Sequence, residues 1–445
     1  MGLSRAHFFS PSRTILLSMI FSIVAGTLLL SLPCARTQDI AVIDLLFTST
    51  SSLCVTGLLT VPMKAFSLFG QAVILLLMQI GGLGLITLTL FVVSLFVNLG
   101  LSTQVLAGEM LDLESWKGTR KTLVFIIGFT LLCELLGAGM MFLSFKHQFP
   151  FTQALFYSVF HSVSAFCNSG ITIFDNSMLN FSHDYIVLSS MSTLIILGSI
   201  GFITIRELIE YYNPFKSSGR HAAFSLQSKI ILSYYTALTF INTGIFWLLE
   251  RHNTFEGMSF FQQLFNSFFT AVSCRSSGFL TIYTNNLQNA SIFNILINGF
   301  IGSAPASTGS GIKITTAALF IATINAAIQG STVVNIKGRR IMKDQIYKAL
   351  AVVSLSISWV ILTTFFLLIT EQTWNFIDIC CEALSAFATL GISTGITPYL
   401  SFFGKNIIIL NMFIGRIGSL TLMIALRKKM DSQEFLYPEE RIMIS

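Results

Sequence analysis

The groups in this chain best placed to do chemistry are backbone carbonyls around four glycines rather than side-chain acids or nucleophiles. Cys54-Val55-Thr56-Gly57-Leu58, Cys167-Asn168-Ser169-Gly170-Ile171, Arg275-Ser276-Ser277-Gly278-Phe279 and Ala388-Thr389-Leu390-Gly391-Ile392 repeat one local pattern at intervals of about 110 residues. Glycine adopts left-handed φ/ψ without a Cβ clash, so successive carbonyls can turn the same way. Gathered around one axis, such carbonyls would replace the hydration shell of a monovalent cation. A single glycine of this kind is ordinarily loop punctuation or a helix-packing residue; four in register are not. The candidate ion-binding set is Val55, Thr56, Gly57, Asn168, Ser169, Gly170, Ser276, Ser277, Gly278, Thr389, Leu390 and Gly391, with the hydroxyls of Thr56, Ser169, Ser276, Ser277 and Thr389 adding to the oxygen count. Because the residues before the glycines differ, the ring is expected to be lopsided, with its strongest site at the glycine level.

The elements that must position these segments are short. Stretches near residues 43 to 53, 151 to 166, 260 to 273 and 376 to 387 end where a glycine segment begins. A spanning helix needs about 20 residues, so each of these must enter the membrane and return. Non-helical backbone at that depth is tolerated only inside protein or beside a watery cavity, and four such segments make a lined cavity. A short helix entering from outside points its partly negative C-terminus at the centre, which favours a cation. The expected fold is an all-α polytopic membrane protein of four units around a pseudo-fourfold pore, each unit a helix, a re-entrant segment and a second helix. The units are 1–100, 101–215, 216–330 with a broken second helix, and 331–445 with a C-terminal tail.

Composition agrees. Hydrophobic residues make up 53% of the chain, charged residues 10%, and 42 residues are Phe, more apolar surface than a water-soluble domain buries. Apolar runs occur near residues 14 to 33, 67 to 97, 122 to 145, 186 to 205, 229 to 249, 290 to 330, 349 to 370 and 405 to 426, eight expected spans. Lys and Arg cluster before the first run, around 117 to 121, 206 to 229 and 337 to 348, and after residue 426, whereas the opposite loops hold only Arg36, Lys64, Lys146, Arg251 and Lys405. By the excess of positive charge in cytoplasmic loops, both termini are expected inside. The first run resembles a signal peptide but is long for one, and its removal would upset this count. The net charge of +6 follows from the same bias, so no nucleic-acid partner is expected. The seven cysteines contain no Cys-x-x-Cys pair and the six His no His-x-x-x-His pair, which leaves metal-assisted hydrolysis without an anchor.

The run from 290 to 330 is too long for one crossing and is interrupted by Gly302-Ser303-Ala304-Pro305-Ala306-Ser307-Thr308-Gly309-Ser310-Gly311, which breaks the helix and is a candidate gate. A phosphate-binding loop is excluded there because Ile312 separates Gly311 from Lys313. Lys313, after this break, and Arg416, midway along the last run, are cations where charge is costly, roughly 2.5 to 3.5 kcal/mol at a span centre. With Gly302, Ser303, Gly309, Ser310 and Gly311 they form the expected constriction below the ring. Glu134 is expected to be a buried hydrogen-bonding residue. Gly81, Gly82 and Gly84 are expected to serve close helix packing.

With these residues assembled, the chain resembles the Trk/Ktr/HKT potassium transporter superfamily, most closely its KtrB-type membrane subunits. Thr48-Ser49-Thr50-Ser51-Ser52-Leu53-Cys54-Val55-Thr56-Gly57-Leu58, Ser164-Ala165-Phe166-Cys167-Asn168-Ser169-Gly170, Ser385-Ala386-Phe387-Ala388-Thr389-Leu390-Gly391, Ser307-Thr308-Gly309-Ser310-Gly311-Ile312-Lys313 and Gly415-Arg416-Ile417-Gly418 carry the likeness. The resemblance implies four M1-P-M2 units with a carbonyl selectivity filter and potassium (K+) uptake at the cell membrane, stimulated by sodium (Na+). It also implies a homodimer, a cytosolic nucleotide-binding regulatory ring of the KtrA type, and a loop beneath the filter that moves with that ring. Ser303, Ala304, Ala306 and Ser310 stand where relatives often have glycine, which predicts a stiffer loop. Arg275 is a position where the family often has arginine, implying that it points behind the filter, with Asp44 and Glu382 as partners or entry charges. The rival readings are an ion-coupled secondary transporter, whose repeats are often inverted rather than parallel, and a membrane enzyme, for which no cluster of nucleophiles or acids is present.

Overall fold

The computed structural model describes residues 11–84, 119–212 and 224–418, with side chains from residue 16 in the first stretch and 121 in the second. The first quarter contains α1 (Pro11–Ser31), α2 (Val42–Cys54) and α3 (Leu68–Leu83). The second contains α4 (Thr119–Phe145), α5 (Phe151–Phe166), α6 (Tyr185–Ile200) and α7 (Phe202–Tyr212). The third contains α8 (Leu226–Glu250), α9 (Phe260–Ser273), α10 (Asn289–Phe300) and α11 (Ile314–Ile328). A small hairpin of β1 (Asn335–Ile336) and β2 (Arg339–Arg340) leads to α12 (Lys343–Thr370), α13 (Phe376–Ala388) and α14 (Phe402–Ile417).

Side-chain caps start several helices. Ser67, Asp184, Ser225 and Ser401 accept backbone N–H groups in the first turns of α3, α6, α8 and α14, and Ser259 with Gln262 forms a reciprocal capping box on α9. The last long helix of each quarter is also tied to the end of the first or to the turn that follows it. Ser67 N donates to Ala35 O at 3.0 Å, Ser144 Oγ donates to Asp184, and Ser401 N and Oγ donate to Glu371 Oε1 at 3.0 and 2.5 Å. Glu250 is the most elaborate tie: fully buried, it accepts from Gln288 N at 3.0 Å, Asn253 Nδ2 at 2.7 Å, Thr254 Oγ1 at 2.9 Å and Ser291 Oγ.

Packing between quarters is cyclic. The second long helix of one quarter lies against the short helix of the next: α3 on α5, α6 on α9, α10 on α13, and α14 back on α2. Core side chains such as Leu45, Phe166, Leu194, Leu296 and Ile408 fill these seams, while Phe21 and Leu135 stay 74% exposed on outward faces. Apolar side chains turned outward are unfavourable in water and favourable in lipid.

Among the described residues, three helices, Lys121–Phe145, Leu226–Glu250 and Lys343–Thr370, are by themselves long and apolar enough to cross a membrane. The run expected at 290 to 330 divides into α10 and α11 around residues 301–313, where Pro305 and the flanking glycines leave no continuous helix. A continuous span at 186 to 205 is corrected: α6 stops at Ile200, Gly201 has φ +92°, and α7 departs at a bend of 100°. The ends of the runs expected at 67 to 97 and 405 to 426 fall partly outside the described residues, as do the basic clusters around 117, 216 and 427.

Candidate ion-binding site

The four short helices match the expected bounds to within a residue, and their C-termini deliver the glycine segments to one place. Gly57, Gly170, Gly278 and Gly391 have φ of +93°, +74°, +67° and +81°, so all four use a backbone region that favours glycine. A Cβ at Gly57 would strike Ser169 O, one at Gly170 would strike Ser277 O, one at Gly278 Leu390 O, and one at Gly391 Thr56 O, each within 3.0 Å. The contacts run from the first quarter to the second, third and fourth and close on the first. Glycine is therefore required twice over, for backbone conformation and because the next segment's carbonyl occupies the space a side chain would take.

Three segments leave their helices identically. Val55, Asn168 and Thr389 are left-handed, and the next residue's N–H returns to the helix as Thr56 N to Ser51 O, Ser169 N to Ser164 O and Leu390 N to Ser385 O, each 2.8 Å. The third is different. Ser276 has no positive φ, and Ser276, Ser277 and Gly278 all direct their N–H groups at Ser273 O. The expected asymmetry is thus a matter of backbone as well as side chains.

The side chains divide into two groups. Thr56 Oγ1 and Ser169 Oγ are buried without a hydrogen-bond partner beside the glycine ring. The Ser276 hydroxyl donates to Asn168 Oδ1 at 2.9 Å. Ser277 Oγ lies 3.2 Å from Ser273 Oγ. Asn168 extends away as well, with Nδ2 donating to Thr308 Oγ1 at 2.6 Å. Arg275, 1% exposed, places its guanidinium 3.9 Å from the ring centroid of Tyr235 on α8 and donates to Tyr235 O at 3.2 Å. Asp44 and Glu382 are not its partners. Asp44 pairs with Lys405 at 2.7 Å, and Glu382 accepts from Ser393 and, at 2.9 Å, from Thr397. Glu134 is buried and accepts from Gln79 Nε2 at 3.3 Å.

Residues 301–313 lie beside this ring. Gly302 N bonds Ile312 O at 2.9 Å, Ala304 N bonds Ser199 O at 3.0 Å and Thr308 N bonds Gly198 O at 3.1 Å, which seats the segment against the bend at Gly201. A Cβ on Gly309 would meet Ser303 Oγ and, at 3.1 Å, Ser276 Cβ. Ala306 holds φ +51°, an unfavourable conformation for alanine. Lys313 is the residue before α11 and folds its ammonium onto Gly309 O at 2.8 Å. Arg416 lies in the last turn of α14, and it is not free. Its guanidinium donates to Thr308 O at 2.6 Å, Ser310 Oγ at 2.9 Å and Gly81 O.

A second fourfold glycine pattern escapes a reading of glycines one at a time. Gly81-Gly82-Leu83-Gly84, Gly198-Ser199-Ile200-Gly201, Gly299-Phe300-Ile301-Gly302 and Gly415-Arg416-Ile417-Gly418 share a Gly-x-x-Gly spacing. In the first, second and fourth, the leading glycine packs on the carbonyl four residues before the ring glycine, namely Leu53, Phe166 and Phe387. The trailing glycine ends the helix with φ +79°, +92° or +88°. In the third, Gly299 packs on the Leu390 side chain and Gly302 on Ser310 O. Alignment of the quarters on Gly57, Gly170, Gly278 and Gly391 would have exposed this repeat.

The family of TrkH cation transport proteins matches residues 10–437. The chain is 36% identical over 440 residues to Ktr system potassium uptake protein B of Vibrio alginolyticus, an alignment covering 97% of this chain and 94% of the relative. It is 32% identical to the potassium/sodium uptake protein NtpJ of Enterococcus hirae, over 98% of this chain and 97% of that protein. The crystal structure of the potassium transporter TrkH from Vibrio parahaemolyticus superposes with a TM-score of 0.75 at 17% identity, covering 95% of this chain and 86% of the other.

Proposed function

The chain belongs to the TrkH cation transport family, and we propose that it takes up potassium across the cell membrane through the ring of carbonyls at Gly57, Gly170, Gly278 and Gly391. The observation that carries this reading is the closure of that ring, in which each left-handed glycine abuts the carbonyl of the next quarter. Val55, Thr56, Asn168, Ser169, Ser276, Ser277, Thr389 and Leu390 supply the remaining backbone oxygens, and the unpartnered hydroxyls of Thr56 and Ser169 suit a cation that has shed water. The four helix C-termini ending at the ring add a negative field. Potassium is cargo here: inward movement down an inside-negative potential gains roughly 2.3 kcal/mol per 100 mV, so uptake needs no bond-breaking step.

In this reading the quarters are M1-P-M2 units and both termini face the cytoplasm. Residues 301–313 form the gate, with Gly302, Ser303, Gly309, Ser310 and Gly311 lining a constriction and Lys313 and Arg416 supplying its positive charge. A homodimer and a cytosolic nucleotide-binding partner of the KtrA type complete the system, in line with relatives described as parts of a Ktr system. Sodium stimulation finds support in the potassium/sodium uptake protein NtpJ. The test is growth of potassium-uptake-deficient cells at low external potassium with wild type and Gly57→Ser. The serine Cβ cannot coexist with Ser169 O at φ +93°, so growth should be lost. Equal growth with both would remove Gly57 from the filter.

A further inference from the structure

Asn168 occupies a position with no counterpart among the quarters. The equivalent residues are Val55, Ser276 and Thr389, none of which carries a carboxamide. Asparagine tolerates the left-handed backbone required there, φ +60°, better than most residues do. Its side chain is fully buried and uses both ends. Oδ1 accepts from Ser276 Oγ at 2.9 Å and Ser199 Oγ at 3.2 Å; Nδ2 donates to Thr308 Oγ1 at 2.6 Å and Phe166 O at 3.3 Å. Thr308 in turn bonds Phe166 O at 3.0 Å and Gly198 O at 3.1 Å through its hydroxyl. Its own carbonyl is the one held by Arg416. One carboxamide therefore touches the second ring segment by covalent attachment, the third through Ser276, the helix bend through Ser199 and the 301–313 segment through Thr308.

We propose that Asn168 is a positioning residue for ion selection, transmitting the seat of residues 301–313 to the spacing of the second and third ring segments. The inference rests on the pore reading given under Proposed function. Asn168, Ser199, Ser276 and Thr308 are all buried, so a displacement of Thr308 leaves one Nδ2 N–H without its acceptor while Phe166 O holds the other. An unpaired buried donor is unfavourable enough to make the network move as a unit. Loop position and ion preference are then one variable. The carbonyls that Asn168 steers, Ser169 O and Ser277 O, are those abutted by Gly57 and Gly170.

The full-length chain in proteoliposomes, given equal inward gradients of potassium or sodium, separates the possibilities through the ratio of the two uptakes. Thr308→Val removes the hydroxyl, keeps the shape and leaves the filter sequence intact; Ser276→Ala removes the other tie. Each should lower the potassium-to-sodium ratio by roughly three- to tenfold, the equilibrium equivalent of about one buried hydrogen bond. Thr308→Ser should restore the ratio. The double variant should fall no further than the more severe single one, because both act through Asn168. A merely structural Thr308 would change the amount of uptake and leave the ratio alone, which would overturn the proposal. Multiplicative effects in the double variant would overturn it as well. Wild type that carries no potassium would instead refute the pore reading on which the inference stands.

Discussion

Arg416→Gln is the most informative perturbation of the proposed gate. The guanidinium joins three quarters: it extends from α14, holds Thr308 O and Ser310 Oγ in the third quarter, and reaches Gly81 O at the end of α3 in the first. Hydrogen bonds from a charged donor contribute about 1.5 to 3 kcal/mol each. Glutamine keeps part of the volume but cannot span three acceptors. Loss of even one such bond shifts a seated-to-released equilibrium by roughly 10- to 150-fold. Removing the cation also lowers the electrostatic barrier to a potassium ion, so both effects act in one direction. Rubidium tracer flux into proteoliposomes without regulatory partner should therefore rise at least about tenfold over wild type. Arg416→Lys, which keeps the charge but lacks the fork, should fall between the two. An unchanged leak in Arg416→Gln, at equal incorporation into the bilayer, would refute both the latch and the barrier.

Two further outcomes concern packing. Gly415→Ala places a methyl group against Phe387 O, forcing α14 away from α13; thermal unfolding in detergent should show a loss of about 1 to 3 kcal/mol, typical of overpacking. Glu250→Ala strands the donors of Gln288, Ser291, Asn253 and Thr254, and the same measurement should show a comparable loss of about 1 to 3 kcal/mol, whereas Arg251→Ala on the exposed neighbour should change little.

What the sequence discloses here depends on range. The short helices and the break around Pro305 are legible because they arise from local patterns, an apolar run ended by glycine or interrupted by proline. The bend at Gly201 is not, since the residues from 186 to 205 are apolar on both sides of it and a glycine within such a run is equally compatible with a straight helix. The direction of the Ser276 hydroxyl and the reach of Asn168 depend on partners more than 100 residues away, as does the placement of Arg416 between Thr308 and Gly81. Arg275 shows the same limit: its burial against Tyr235 requires α8, which no local pattern around residue 275 specifies. The Gly-x-x-Gly repeat is an intermediate case, visible only when the quarters are compared with one another.

The cyclic contact order of the glycines has a consequence for biosynthesis. The ring follows chain order, so its final joint, Gly391 against Thr56 and Gly57, unites the first glycine segment to be made with the last. Those segments are separated by roughly 330 residues, or roughly 20 to 70 s of synthesis at ~5–20 residues per second. During that interval α2 lacks the helix that will flank it, α14, and Asp44 waits for Lys405. Insertion of the last quarter is the step that closes the ring of glycine segments.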